Sequence, residues 1–303
     1  MKKLIILSIL SIFMFSCTET DILDESGEME ITDFNLPELP DGYFYEAWLL
    51  VDGSYVSVGR INNDSIQNNF ARMSRIDASD LNLAQSMAMT IENNSGAPSN
   101  YVLLVGNFEG NTVELKPNIT AHNGVQTLAQ QISGAFTVQN ASVPSEDESM
   151  YGVNGIWFFK GEENKEPTLN LKYEGLDYQA WTVKRLNNTD WNLNMGVIRA
   201  DTLADTWRNF IPSPYTPNIP AFPGEDFLQQ PGEIIAFPEG FFPVDVRGSK
   251  VIITPIFQNY NNSEIPFPIH LLQAEVPENA TKDPNLTYEL EINTNYSAKA
   301  TKL

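Results

Sequence analysis

Two pairs of similar blocks, far apart in the sequence, constrain the fold more than any other feature. Gly42-Tyr-Phe-Tyr-Glu-Ala-Trp48 and Gly59-Arg-Ile-Asn-Asn-Asp-Ser-Ile66 return as Gly175-Leu-Asp-Tyr-Gln-Ala-Trp181 and Gly196-Val-Ile-Arg-Ala-Asp-Thr-Leu203. The tryptophans are 133 residues apart, and the aspartates of the second pair are 137 apart. A repeat this long is typical of a duplicated domain, because solenoid units have shorter periods. Chance similarity between β segments is the alternative.

The difference in spacing predicts a longer hairpin in the second copy. Its four extra residues fall in the range 184–191, where the first copy has the tight turn Asp52-Gly53. A third pair of blocks is looser and matches Ser86-Met-Ala-Met-Thr-Ile91 to Ser249-Lys-Val-Ile-Ile-Thr254. All three pairs keep their order along the chain, which favours duplication.

Strand patterns dominate both copies. The predicted strands are residues 43–51, 55–61, 87–91, 101–105 and 135–138, and then 155–159, 168–171, 178–183, 192–198, 250–254, 268–272 and 286–292. Short strands separated by turn residues predict an all-β fold with two tandem antiparallel β-sandwich domains, at residues 31–145 and 150–303. Short helices are expected to begin at Asp64-Ser65 and Asp201-Thr202, where the side chains can cap.

The N-terminus has the pattern of an export signal. Lys2 and Lys3 precede an apolar run at residues 4–15, which is too short to span a membrane. A buried helix is the alternative, but nothing amphipathic follows. We therefore expect residues 1–16 to be a signal peptide. Residues 17–30 are polar and acidic, and they are expected to form a flexible tether.

The end of the apolar run, Ser16-Cys17, resembles the signal of bacterial lipoproteins. This resemblance implies cleavage before Cys17, lipidation of its thiol, and anchoring in a lipid membrane. The acidic residues that follow resemble the surface-export signal of Bacteroidota lipoproteins. Together these resemblances imply an outer-membrane lipoprotein, on the periplasmic face or on the cell surface.

Composition excludes several function classes. The formal net charge is −21, and such an acidic surface repels nucleic acid and anionic lipid headgroups. Cys17 is the only cysteine, so no disulfide within the chain can form. A catalytic thiol would need a histidine partner, and the sequence offers only His122 and His270. We expect a monomer that binds no nucleic acid.

No motif indicates catalysis, a cofactor or a metal. The sequence has no glycine-rich phosphate loop, zinc-binding His-Glu motif or nucleophile elbow. Glu225-Asp226 follows Pro223-Gly224 and could offer oxygens to Ca²⁺, but without a calcium-loop pattern a simple turn is favoured. Asp245 and Glu239 are close in sequence, which alone does not make a catalytic pair.

Aromatic and proline-rich stretches offer two interpretations each. Tyr45, Trp48, Trp157 and Trp181 are expected to pack in the core, and a carbohydrate platform is the alternative. Residues 211–224 are proline-rich and form either a binding loop or a strap held to the sheet by Tyr215 and Phe222. Residues 143–149 are polar and acidic and are expected to link the two domains.

The first copy resembles the extracytoplasmic domain of anti-sigma-K factors. The resemblance rests on Tyr45-Glu-Ala-Trp-Leu49, Val56-Ser-Val-Gly59, Ala88-Met-Thr-Ile-Glu92 and Leu103-Leu104 over residues 36–116, and it is weaker over 169–277. It implies a β-sandwich outside the cytoplasm. Asn93 replaces a usual proline, and the sigma-binding segment and membrane helix of those factors have no counterpart here. We therefore do not transfer the regulatory function.

One short motif occurs at equivalent places in both copies. Asp64-Ser65-Ile66 and Asp201-Thr202-Leu203 resemble the O-glycosylation sequon of exported Bacteroidota proteins. The resemblance implies glycans on Ser65 and Thr202. A duplicated helix cap is the alternative, since it needs only the aspartate and the hydroxyl residue.

These observations predict an anchored, exported lipoprotein with a non-catalytic binding or structural role at the cell envelope. Its ligand would be a glycan or an envelope protein. The first alternative is an envelope sensor or regulatory partner related to anti-sigma factors. The second is an enzyme acting on glycans, which would require two carboxylates in a groove.

Overall fold

A computed structural model describes residues 26–93, 99, 101–171, 176–232, 236–257, 260 and 264–303. Strands account for 46% of the described residues and helices for 9%, and the strands pair in antiparallel sheets. The predicted all-β class is therefore confirmed. In the described ranges, no helix has both the length and the apolar character needed to cross a membrane.

The regular elements are short and follow one another closely. The first half contains β1 (Ser26–Asn35), β2 (Phe44–Val51), β3 (Ser54–Ile61), α1 (Asn63–Gln67), β4 (Phe70–Asp77), α2 (Ala78–Leu83), β5 (Ser86–Glu92), β6 (Val102–Asn107), β7 (Thr112–Leu115) and β8 (Ile132–Val138). The second half contains β9 (Gly155–Trp157), β10 (Phe159–Lys160), β11 (Glu166–Pro167), β12 (Leu169–Leu171), β13 (Asp177–Leu186), β14 (Thr189–Ile198), β15 (Gly224–Asp226), β16 (Lys250–Ile256), β17 (Leu272–Glu275), β18 (Asp283–Ile292) and β19 (Ser297–Lys302). Short 3₁₀ turns lie at Leu128–Gln131, Glu148–Met150 and Ser213–Asn218.

Three larger sheets and one small hairpin contain these strands. Two sheets have four strands each, in the orders β4-β1-β19-β7 and β3-β2-β5-β6. The largest has the order β14-β13-β16-β17-β18-β8-β9-β15, with β12 also paired to β8, and β10 pairs with β11. Val105 and Lys116 exchange backbone hydrogen bonds, which joins the edges of the two four-stranded sheets.

The repeated blocks occupy arrays with the same strand order. The first copy forms β3-β2-β5-β6, and the second forms β14-β13-β16-β17 within the largest sheet. Trp48 lies opposite Ala88, and Trp181 lies opposite Ile252. Ala88 and Ile252 therefore occupy equivalent positions in the two arrays. The sequence match had instead aligned Ala88 with Val251, so the third pair of blocks is shifted by one residue. Shared strand order is consistent with duplication, which stays a prediction.

Each array also has a bulged hairpin at the same place. The pairing of β2 with β3 shifts between Ala47 and Trp48, beside Gly59 with φ of 144°. The pairing of β13 with β14 shifts between Gln179 and Trp181, beside Gly196 with φ of 96°. Glycine is the residue that adopts such angles at low cost, which explains why the sequence repeat keeps it.

The longer second hairpin is confirmed. Asp52 and Gly53 turn the first hairpin, and Asn187 and Asn188 turn the second, all with positive φ as a two-residue hairpin turn requires. The flanking pairs Arg185–Asp190 and Leu186–Thr189 extend the ladder of β13 and β14 beyond the length of β2 and β3.

Two strands cross the expected boundary between residues 145 and 150. The C-terminal strand β19 lies between β1 and β7, and β8 lies between β18 and β9. Sequence patterns missed β19 because alanine and lysine have low strand propensity. Its Ala298 and Ala300 are nevertheless buried. The two expected ranges therefore share strands.

The expected tether is shorter than residues 17–30. Residues 26–30 lie in β1, where Met29 and Ile31 are fully buried while Glu28 and Glu30 form ion pairs with Arg72. The acidic residues concealed this alternating pattern. Residues 17–25 lie outside the described residues.

Other local predictions need correction. Of residues 268–272 only Leu272 belongs to a strand, and Asp201-Thr202 forms a turn instead of a helix. The cap of α1 is Asn62, whose side chain accepts from the Ser65 backbone, and not Asp64. Strands β4 and β7 and helix α2 were not predicted, because β7 has only four residues, β4 loses its alternation at Ser74-Arg75, and α2 buries a single residue, Leu81.

An aromatic cluster connects the two arrays. The Tyr43 ring lies 5.5 Å from Phe257 and 5.6 Å from Phe267, measured between centroids. Tyr101 lies 4.7 Å from the same Phe257 ring in edge-on contact. These contacts help to form one continuous apolar core from residues of both halves.

Candidate functional site

The predicted modification residues lie in different settings. Cys17 is outside the described residues. The Ser65 hydroxyl lies 3.1 Å from Asn62 Oδ1 within the cap of α1. Thr202 lies in an exposed turn beside Leu203, which is 59% exposed. The structure therefore presents Thr202 to a modifying enzyme more openly than Ser65.

The aromatic residues belong to the interior. Tyr45, Trp157 and Trp181 are fully buried, and Trp48 is nearly so. The Trp48 indole N–H donates to Thr90 Oγ1 at 2.8 Å, and the Tyr45 hydroxyl donates to the Pro37 carbonyl at 2.7 Å. Core packing is confirmed, and the interpretation as a carbohydrate platform is wrong for these residues.

The Glu225-Asp226 pair lies in strand β15 and not in the simple turn that the sequence favoured. β15 pairs with β9, so Glu225 lies opposite Ile156 and Asp226 lies opposite Gly155. Both acidic side chains are completely buried. Because neighbouring residues of a strand point to opposite faces, the two carboxyl groups enter different environments.

Asp226 is fully provided with hydrogen-bond donors. It accepts from the Ser142 backbone at 2.7 Å, from the Ser142 hydroxyl at 2.5 Å and from the Trp157 indole at 2.6 Å. Burial raises the pKa of Asp226 to about 6, although these donors oppose the shift. Asp226 therefore ties β15 to Ser142 and to β9.

Glu225 is equally buried but lacks the hydrogen bonds that surround Asp226. It shares a face with Ile156, a member of the main apolar core, and neither of its carboxyl oxygens forms a hydrogen bond of good geometry among the described residues, although the nearby Asp226 backbone N–H slightly favours the charged form. Burial raises its pKa well above the usual range, and the carboxyl groups of Asp205 and Asp226 raise it further. Both effects favour the protonated form of Glu225.

Asp205 supplies the third buried carboxyl group. It accepts from the Gly224 backbone at 2.8 Å, from the Trp207 backbone at 2.9 Å and from the Arg208 guanidinium at 2.9 Å. Burial raises the pKa of Asp205 to about 6, and Arg208 opposes the shift most strongly. The bond to Gly224 places this carboxyl group one residue from Glu225.

Residues 205–226 form a strap whose ends meet. The Asp205–Gly224 bond closes the strap, and the Phe210 carbonyl accepts from Leu228 and Gln229 just beyond it. The strap covers a small apolar cluster separate from the main core. This cluster contains Val143, Trp157, Phe159, Ile211, Tyr215 and Leu228, with Phe222 packed against it.

The strap interpretation of the proline-rich stretch is thus confirmed. The Phe222 ring lies 5.1 Å from the Phe159 ring in a tilted arrangement, and the buried Tyr215 donates to Asp147 at 3.1 Å. The expected linker also contributes to this packing, since Val143 lies in the same cluster.

The acidic cluster does not have the form of a metal site. Within the described ranges, no group of three or more histidine, cysteine or acidic side chains is arranged to hold a metal ion. Glu225 and Asp226 face opposite sides of β15, and Arg208 already supplies a cation to Asp205. The cluster can hold and release protons, and it can hold the strap closed.

The other titratable candidates lie apart from this cluster. Asp245 forms an ion pair with Arg247, whose hydrogen bonds hold the pKa of Asp245 below its usual range. Glu239 is exposed and does not belong to the cluster of Asp205, Glu225 and Asp226. Burial lowers the pKa of His270 to about 4, so this imidazole is neutral at physiological pH.

The surface carries polar depressions. One of about 350 Å³ lies beside β8 and is lined by Gln126, Gln130, Gln131, Ile132, Ser133 and Asn170. Amide and hydroxyl groups both donate and accept hydrogen bonds, which suits sugar hydroxyls.

Sequence reasoning missed Asp205 and Ser142 altogether. Neither has a local signal, because each acquires its partner from a distant segment: Gly224 for Asp205 and Asp226 for Ser142. No protein-family model, curated protein or solved structure matches the chain. The anti-sigma-K and lipoprotein resemblances therefore stay predictions.

Proposed function

We propose that the chain is an exported outer-membrane lipoprotein with a non-catalytic binding or structural role at the cell envelope. The observation that carries this proposal is the N-terminal pattern: Lys2, Lys3, an apolar run and Ser16-Cys17. The lipid on Cys17 anchors the protein, and the acidic β domain carries the binding surface. Two tandem copies of one β-sandwich module account for the repeat.

The three buried acids do not offer the pair of carboxyl groups that glycan hydrolysis needs. Hydrolysis needs two carboxyl groups that reach the scissile bond from a groove. Asp205, Glu225 and Asp226 are all shielded from solvent, so a polysaccharide does not reach them. The depression beside β8 suits a glycan ligand. A second depression of about 390 Å³ presents the exposed Glu109 and Glu114 beside Lys116 and Lys299, and the alternative of hydrolysis would have to be tested there.

Metabolic labelling with a palmitate analogue in the native host tests the anchor. The wild-type chain and a Thr18→Ala control are expected to take up label, whereas Cys17→Ala is expected to lose it. Label retained by Cys17→Ala, or absent from the wild type, would remove the lipoprotein proposal.

Protease shaving of whole cells then distinguishes the two faces of the membrane. Cleavage of the labelled wild type would place it on the cell surface and favour glycans or neighbouring cells as ligands. Labelled protein that resists shaving would favour the periplasmic face. It would also strengthen the alternative of an envelope sensor, for which a co-purifying membrane partner is the test.

We further propose O-glycosylation, with Thr202 as the more accessible acceptor. The support is the exposed turn at Thr202 and the engaged hydroxyl of Ser65. Intact-mass measurement in the native host should show a glycan that Thr202→Ala removes. An unmodified wild-type mass would contradict the proposal at both residues.

A further inference from the structure

The strap is closed by acidic groups at both ends. Asp205 holds its start to Gly224, and Asp226 fixes its end to Ser142 and Trp157. Between residues 209 and 224 the strap carries no Asp, Glu, Lys, Arg or His. Its closure therefore depends on apolar packing, on the hydrogen bond that Tyr215 donates to Asp147, and on the charge state of the buried groups at its ends.

Among the buried acids at the ends of the strap, Glu225 is the one for which ionisation is most costly. It is fully buried, it faces the apolar core, and among the described residues only the Asp226 backbone N–H approaches its carboxyl group, without forming a hydrogen bond of good geometry. The charged groups that act on it are Asp205 and Arg208 from the start of the strap and Asp226 from its own strand. The facing strand β9 contributes Gly155, Ile156 and Trp157, none of which can stabilise an anion by its charge.

We propose that protonation of Glu225 controls the closure of the strap, which is tight in mild acid and opens locally as the solution becomes alkaline. Opening gives the Glu225 carboxylate access to water and releases one proton. It also uncovers Trp157 and Phe159 beneath the strap. This inference does not depend on lipidation or on any ligand.

The direction follows from proton linkage. The pKa of Glu225 in the closed strap is raised above its value in the solvated, open strap. Closure is therefore at full strength below the ordinary pKa of a glutamate and weakens as pH rises toward the raised value. Release of one proton increases the opening constant up to about tenfold per pH unit in that window.

Hydrogen exchange of the purified full chain, followed by mass spectrometry between pH 5 and 8, tests the proposal. After correction for intrinsic exchange rates, protection of residues 205–228 in the wild type should fall by up to about tenfold per pH unit. Glu225→Gln, which stays neutral, should hold that protection nearly constant above about pH 7, since the pKa of Asp205 and that of Asp226 lie at about 6 and these groups are already ionised there. Glu239→Gln, which changes an exposed glutamate, should behave as the wild type does.

Two outcomes would overturn the proposal. One is protection of the strap that does not change with pH in the wild type, and the other is an unchanged pH dependence in Glu225→Gln. Each experiment is run with EDTA and with added Ca²⁺. Protection restored at pH 8 by Ca²⁺ in the wild type only would assign a cation site in place of the proton switch.

An independent measurement covers the case in which Glu225→Gln fails to fold. The infrared spectrum of the folded wild type at pH 7 should show the carbonyl absorption of a protonated carboxylic acid. That absorption should disappear as the strap loses its exchange protection. Absence of this absorption at pH 7 would show that Glu225 is ionised in the closed strap and would contradict the proposal.

Discussion

At the scale of single residues, two adjacent acids illustrate how environment decides a role. Asp226 and Glu225 are neighbours in β15 and equally buried, but among the described residues only Asp226 accepts hydrogen bonds from other side chains. A buried carboxylate is tolerated when hydrogen bonds replace its lost hydration, and it becomes neutral when they do not. Asp226 therefore stabilises the fold by linking β15 to Ser142 and Trp157, whereas the environment of Glu225 favours its protonated form.

Replacement of Asp226 should be costly. Asp226→Ala leaves the Trp157 indole and the Ser142 donors buried without partners, so we expect a loss of about 3 kcal/mol in the free energy of unfolding. Asp190→Ala, which removes an exposed ion pair with Arg185, should cost less than about 0.5 kcal/mol. Urea unfolding at pH 7 measures both, and equal losses would show that the Asp226 network contributes nothing.

Global stability should decrease as pH rises through the range set by the buried acids. The pKa of Asp205 and that of Asp226 are raised from 3.8 to about 6. The folded state therefore binds protons more tightly, and its stability is complete below about pH 4 and declines toward pH 6. Each group contributes about 1.4 kcal/mol per pH unit. Urea titrations at several pH values should show a smaller slope for Asp205→Asn, and an unchanged slope would contradict this.

At the scale of elements, the bulged hairpin is the feature that the arrays β3-β2-β5-β6 and β14-β13-β16-β17 share. Gly196 accommodates the strap closely, since a Cβ there would lie 2.7 Å from the Trp207 backbone nitrogen and 2.8 Å from Asp205 Oδ1. The glycine therefore serves backbone geometry and close packing at once. Gly53, in the first hairpin turn, meets no atom within 4 Å and serves backbone geometry alone.

This contrast gives a matched pair of substitutions. Both glycines have positive φ, so Gly53→Ala should cost about 1 kcal/mol from backbone strain. Gly196→Ala adds a backbone clash and should cost about 3 kcal/mol. Thermal or urea unfolding measures the difference, and similar costs would show that the contact with Trp207 relaxes freely.

At the scale of the whole molecule, the exchanged strands make the two halves depend on each other. β19 completes the sheet of β1 and β7, while β8 lies within the largest sheet. The ring contacts of Tyr43 and Tyr101 with Phe257 extend this dependence to the core. We therefore expect one cooperative unfolding unit.

Truncation tests this dependence directly. A chain that ends at residue 296 lacks β19, which leaves β1 and β7 with unpaired edges, so it should lose cooperative unfolding. A chain that ends at Lys302 keeps β19 and should unfold nearly as the full chain does. Near-ultraviolet circular dichroism during urea unfolding separates the outcomes, and a cooperative transition in the shorter chain would show that the halves are independent.

Local patterns in the sequence determined the all-β class, the tight turn at Asp52-Gly53, the extra length of the second hairpin and the core position of the tryptophans. Each of these features depends on residues that are close together in the sequence or on a spacing that recurs, so the sequence alone is enough to predict it. Only the tertiary structure decided the place of β19 between β1 and β7, and the meeting of Asp205, Glu225 and Asp226. Those features arise when distant segments come together, because burial and hydrogen bonding then assign a role that no local pattern contains.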